Sequence, residues 1–191
     1  MKCMMCENYS YTHICTDCQT TFLKPSLYKR KLENGIEVLS FYRYSEIKEL
    51  LFTKHTDLGF YIYNILAQNS FKLFTQEFSI EESCVSIPID DTVVSGYSHT
   101  AILNKTLKSK SIKPLYNKLR ATNPINYSGK TREFRLTNPR NFKLKKFMQE
   151  DVILVDDIVT TGATLTQAST LLTTQGKNVL FCLTLADATQ R

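Results

Sequence analysis

Asp156 and Asp157 follow a run of four aliphatic residues, Val152 to Val155, and precede Ile158, Val159 and the stretch Thr160-Thr161-Gly162-Ala163-Thr164. Adjacent carboxylates accept hydrogen bonds from sugar hydroxyls or hold a hydrated magnesium ion. The hydroxyl-rich stretch behind them has the opposite preference. If it opens a helix, its first backbone N–H groups lack intrahelical partners and sit at the positive end of the dipole. Three threonine hydroxyls and the small Gly162 and Ala163 then let a phosphate come close, which makes an anion cradle. Acid beside cradle suits a ligand with a ribose at one end and a phosphate at the other.

The elements that must position these groups are legible around them. Val152 to Val155 read as a short strand buried on both faces, as in a parallel sheet, with the acids where the strand emerges. From Thr164 onward, Leu165, Ala168, Leu171 and Leu172 recur at helical spacing, and Gly176 is a natural stop. Strand, loop and helix form the unit in which α/β proteins place ligands at the carboxyl ends of strands.

A second group of residues suits a metal. Cys3 and Cys6, then Cys15 and Cys18, form two C-x2-C pairs separated by eight residues. Each pair can aim two thiolates at one ion, and the two together complete a tetrahedral zinc site. A segment this short buries too little surface to fold alone, so ligation would supply the missing stability. All four positions are filled, which makes the zinc structural, and His13 is a neighbour rather than a ligand.

The chain of 191 residues holds one α/β domain plus a small appendage, and 42% hydrophobic with 22% charged residues suits a globular core. No apolar run approaches the roughly 18 residues of a membrane span, and no signal-like hydrophobic region opens the chain. The expectation is a cytoplasmic protein, without membrane insertion, whose cysteines stay reduced. Residues 1–22 read as the zinc knuckle. Residues 23–37 read as a linker entering a hairpin turn at Asn34-Gly35. Residues 38–191 read as the main domain. Within it, Val38 to Tyr44 suggest a strand and Ser45 a helix start. Leu58 to Phe78 suggest one long amphipathic stretch, and Cys84 to Ile89 a strand followed by Asp90, Asp91 and a loop through His99. A helix from about Thr100 to Leu107, a short strand near Ile112 to Tyr116 and a closing strand Asn178 to Leu183 complete the series.

The net charge of +6 is local. Lys118 to Lys146 carry nine cations against Glu133 alone, an excess of eight that leaves the rest of the chain at −2. Tyr127, Phe134 and Phe142 are interleaved with these charges, and Pro124, Gly129 and Pro139 argue for loop over helix. Cations for phosphates and aromatic faces for stacking make a surface suited to single-stranded nucleic acid. A solvated loop, or one that closes over a pyrophosphate, has the same composition.

The stretch from Val152 to Thr164 resembles the phosphoribosyl-pyrophosphate (PRPP) motif of type I phosphoribosyltransferases. That resemblance implies that Asp156 and Asp157 take the ribose hydroxyls and that Thr160 to Thr164 take the 5-phosphate, with magnesium carried in by PRPP. It also implies a type I phosphoribosyltransferase-like α/β fold, a mostly parallel sheet flanked by helices. Thr160 stands where the purine-salvage enzymes have an acid that serves as general base, which argues against purine salvage. The order of features is similar to that of the ComF family of competence-associated proteins: four-cysteine knuckle first, PRPP motif last. Tyr127 to Asn138 resemble that family's Gln-rich, Arg-x-x-Asn element, with Arg132, Arg135 and Asn138 on its positions and Tyr127 replacing glutamine. Ile87-Pro88-Ile89 through Gly96-Tyr97-Ser98-His99 fall on its Pro-containing strand and following loop, although Asp90 and Asp91 depart from its neutral or basic pattern. The resemblance implies a role in natural transformation, handling incoming single-stranded DNA beside other cytoplasmic DNA-uptake or recombination proteins. Arg120, Lys130, Arg132, Arg135 and Arg140 are the candidate DNA contacts. An active phosphoribosyltransferase working on an unidentified base is the alternative.

Overall fold

The computed structural model describes residues 1–89, 96–123 and 132–189; the side chains of Arg132, Arg135 and Leu136 lie outside that description. Asp90, Asp91, Tyr127 and Lys130 therefore fall outside it too.

Among the described residues the α-helices and strands follow in order: α1 (Thr16–Phe22), β1 (Tyr28–Lys31), β2 (Glu37–Arg43), α2 (Tyr44–Leu51), α3 (Asp57–Asn69), α4 (Phe71–Glu77), β3 (Cys84–Pro88), α5 (His99–Thr106), β4 (Ile112–Pro114), β5 (Leu119–Ala121), α6 (Arg132–Thr137), β6 (Phe142–Leu144), β7 (Asp151–Val159), α7 (Ala163–Thr174) and β8 (Asn178–Asp187), with a 3-10 turn at Phe52–His55 between α2 and α3. Six strands form one sheet in the order β1-β2-β8-β7-β3-β4, and β5 with β6 form a separate antiparallel pair. Within the main sheet only β1 runs antiparallel to its neighbour. The fold is the expected mixed α/β arrangement, a mostly parallel sheet with helices on both faces.

The unbroken apolar run of β7 follows from its central place. Ile153 and Val155 join the core beneath the α2–α5 face, whereas Val152 and Leu154 join the core beneath α7. With both faces covered, alternation has no polar side to show. The strand is longer than its apolar run. It continues through both acids to Val159, because Asp156, Ile158 and Val159 still pair with β8. Asp156 and Asp157 thus sit inside the strand's last turns, not beyond its end.

Other boundaries move for local reasons. The stretch from Leu58 to Phe78 is two helices, broken at Ser70, whose hydroxyl donates to Leu66 O at 2.6 Å and competes with the backbone ladder. The basic segment is not all loop. Leu119 and Ala121 pair with Leu144 and Phe142, and Leu119, Phe142 and Leu144 pack against the α7 core. Pro139 falls just beyond α6 and interrupts nothing. The segment read as a linker supplies β1, in register with β2 from Tyr28↔Ser40 to Lys31↔Glu37.

The N-terminal cysteine segment packs into the main body. Cys3, Ile14, Cys18 and Leu23 belong to the same buried cluster as Tyr42, Ile62 and Phe71. Tyr42 donates its hydroxyl to Leu23 O at 2.8 Å, and the His13 ring lies 4.6 Å from that of Tyr61 on α3.

Candidate functional site

At the carboxyl end of β7 the chain turns through Thr160 and Thr161 into α7. Gly162 makes that turn at φ 83°, a left-handed conformation that disfavours a side chain. Asp156 and residues 158–165 line a small open cleft here. A cleft lined by a helix start, three hydroxyls and one carboxylate suits a small anionic group such as a phosphate. At its rim the Thr161 hydroxyl accepts from the Ala163 N–H at 3.3 Å. Among the described residues, no protein acceptor takes the N–H groups of Thr161, Gly162, Thr164 or Leu165. Unpaired donors at a helix start are what an anion needs. Of the predicted binding residues, Asp156, Ile158, Val159, Thr160, Thr161, Gly162, Ala163 and Thr164 come together in this cleft.

Asp157 does not line it. Alternation along β7 turns its carboxylate to the opposite face, where it is buried among three donors. Its Oδ2 accepts from Lys54 Nζ at 3.2 Å and Tyr63 Oη at 3.3 Å, with His99 Nε2 also at 3.3 Å. Its Oδ1 accepts from the Ile158 N–H at 2.8 Å. Burial pushes the Asp157 carboxyl up, but the charges of His99 and Lys54 and the Ile158 N–H outweigh it and hold the group well below the usual carboxylate range. The same burial, and the Asp157 charge, push the Tyr63 hydroxyl well up. The two neighbouring acids therefore have different surroundings. Asp156 lines an open cleft, and Asp157 closes an internal ion-pair cluster.

Three of these partners were not marked by sequence reasoning. Lys54 follows α2, Tyr63 is in α3 and His99 opens α5, and only the fold brings them to one carboxylate. A fourth is Arg30, on the edge strand β1. Its Nη2 donates to Thr160 O at 2.6 Å, while its Nε stands 3.2 Å from Asp187 Oδ2 as an ion pair rather than an aligned hydrogen bond. A basic triplet, Lys29-Arg30-Lys31, was the only sign of it in the sequence.

The four N-terminal cysteines converge as their spacing implied. The Sγ atoms of Cys3, Cys6, Cys15 and Cys18 all lie within 4.8 Å of one another, and Cys6 and Cys15 stand 3.7 Å apart. Zinc–sulfur bonds of about 2.3 Å in a tetrahedron separate sulfurs by roughly 3.8 Å, so this set fits a zinc ion. Burial pushes the Cys3 thiol up, but the backbone N–H groups of Cys15, Cys6 and Met5 outweigh it and hold it at about 6. Donors aimed at Cys3 favour its thiolate, whereas burial and the neighbouring sulfurs push the Cys18 thiol up.

The basic residues divide. Arg120 on β5 stands directly opposite Lys143 on β6, and both side chains face solvent. Like charges paired across strands repel, and an anion between them relieves the cost. Arg140 is anchored beside α7, its backbone N–H donating to Gln167 Oε1 at 3.0 Å. That contact lies about one helical turn from the cleft. Arg132 and Arg135 fall on α6, whose arginine side chains are outside the described set, as is Lys130.

No protein-family model matches the chain, and no curated protein matches its sequence. Solved structures similar to it include phosphoribosyltransferases. A hypoxanthine phosphoribosyltransferase from Staphylococcus aureus is 17% identical with a TM-score of 0.42, the match covering 65% of this chain and 62% of that one. An orotate phosphoribosyltransferase from Aeropyrum pernix is 16% identical with a TM-score of 0.41, over 90% and 80%. A hypoxanthine-guanine phosphoribosyltransferase from Bacillus anthracis is 21% identical with a TM-score of 0.38, over 63% and 66%. The chain thus spans 62% of the length of the first of these. No residue-by-residue correspondence follows from likeness at that distance. Among the described residues, no helix is long and apolar enough to cross a membrane.

Proposed function

We propose that this chain binds PRPP at the cleft beside Asp156 and single-stranded DNA on the adjoining basic hairpin, acting in cytoplasmic steps of DNA uptake during natural transformation. The observation that carries the first part is the pairing of one cleft-lining, half-buried acid with unpaired helix-start amides at the end of a central strand. The amides suit the 5-phosphate and Asp156 a ribose hydroxyl, with Asp157 completing the acid pair if its internal partners yield. Magnesium is typically held by one or two carboxylates together with substrate phosphates, and Asp156 fits that share. Magnesium would neutralise phosphate charge there. The cysteine set would hold structural zinc.

The outward Arg120–Lys143 pair supports the second part, since phosphates can neutralise both. The transformation role rests on the likeness of motif order to the ComF family. A working transferase is the alternative, but Asp156 is the one ionisable side chain among the described residues that line the cleft. With Thr160 beside it instead of an acid, the site favours binding over transfer.

Titration calorimetry with PRPP and magnesium, on wild type and Asp156→Asn, tests the reading. Wild type should bind, and Asp156→Asn should bind about tenfold more weakly with little change in melting temperature. Equal affinity of the two proteins would remove Asp156 from the site.

A further inference from the structure

We propose that Arg30 is the positioning residue of the anion loop, and that its grip on Thr160 O aims the Thr161 N–H into the cleft. This inference rests on reading the cleft as a sugar-phosphate site.

Arg30 comes from a segment 130 residues away in sequence and reaches the loop from outside the cleft. Two of its guanidinium nitrogens hydrogen-bond, one to the loop and one just past β8, and the third faces a carboxylate as an ion pair. Nη2 takes Thr160 O at 2.6 Å, Nε faces Asp187 Oδ2 at 3.2 Å, and Nη1 lies 3.4 Å from Thr189 Oγ1. Asp187 is itself fixed, accepting from the Thr189 N–H at 2.8 Å and its hydroxyl at 2.7 Å. The β8 end is thus a rigid post, and the arginine is a strut between it and the loop. A planar fork suits that task, whereas a lysine ammonium is a single point.

The consequence for the loop is set by peptide geometry. The described peptides are all trans, so the C=O of Thr160 and the N–H of Thr161 point in opposite directions from one rigid plane. Arg30 is absent from the cleft lining while Thr160 and Thr161 are part of it. Holding the oxygen toward Arg30 therefore turns the next N–H toward the cleft. Leu32, just beyond the end of β1, lies against the loop at a second point. A Cβ on Gly162 would meet Leu32 Cδ2 at 2.7 Å. Donors fixed before the ligand arrives cost no reorganisation when it binds.

The test uses the full chain with two probes, ribose 5-phosphate and inorganic phosphate, read by calorimetry and by amide NMR shifts. Arg30→Met should weaken binding of both probes by about tenfold, since an oriented donor to a charged group is worth at least that factor. The ligand-induced shift of the Thr161 amide should collapse, while amides in the middle of α7 keep their positions. Arg30→Lys, which retains a cation for Asp187, should recover part of the affinity and keeps the comparison readable if the methionine variant unfolds. Wild-type affinity in both variants, or weaker binding with the Thr161 shift intact, would overturn the role of Arg30 and leave the cleft assignment standing. Failure of wild type to bind either probe would overturn both.

Discussion

The Asp157 cluster makes the most stringent prediction, because the acid pair looks symmetrical in sequence and is not so in space. Asp157→Asn keeps the shape of the side chain and an oxygen able to accept from the Ile158 N–H, but removes the charge facing Lys54 and His99. Breaking a buried ion pair by removing one partner costs about 3–5 kcal/mol. Lys54 is 28% exposed on its side chain, so solvent screens its share and the lower half of that range applies. For a chain of this size each kcal/mol moves the midpoint by roughly 2–4 °C, so the variant should melt about 6–16 °C below wild type at neutral pH. The pH dependence has a definite sign. The folded carboxyl titrates below its ordinary value of 3.8, so its stabilisation is fully present above that pH and is lost as pH falls through the folded value. The gap between the two proteins should hold from neutrality down to about pH 4 and narrow only below it. Urea denaturation at several pH values reads both quantities. Equal stability at pH 7, or a gap that closes above pH 5, would refute an ionised Asp157 held by cationic partners.

Two further outcomes follow from the same geometry. Removing zinc with a chelator should lower the melting temperature of the whole chain in one transition, because Cys3, Ile14, Cys18 and Leu23 are part of the main core; differential scanning calorimetry would show a separate early transition if the segment were independent. Arg120→Ala with Lys143→Ala should reduce the slope of log affinity against log salt for single-stranded DNA by about 1.4, two phosphate contacts' worth; an unchanged slope would place the DNA elsewhere.

Much of the local structure was legible because its causes are local. Two C-x2-C pairs could converge on one ion whatever surrounds them, since each tight turn fixes its own thiols. The α7 start was readable from Gly162 and its threonines, and β7 from an apolar run that only a doubly covered strand tolerates. The basic hairpin was misread as loop because its arms are three residues each, too short to show a period. Its strands exist through the packing of Leu119, Phe142 and Leu144 on the α7 core.

By itself the sequence determined the kinds of chemistry present: thiolates for a metal, an acid pair, and a loop whose backbone invites an anion. The tertiary structure alone decided which acid faces the cleft and what holds the loop. The alternation of β7 sends adjacent carboxylates to opposite faces, and the sheet order carries Arg30 from the first strand to the far end of the chain. Those assignments depend on strands and helices meeting across 94 residues for Tyr63 and 130 for Arg30, and no spacing within a single segment encodes such a meeting.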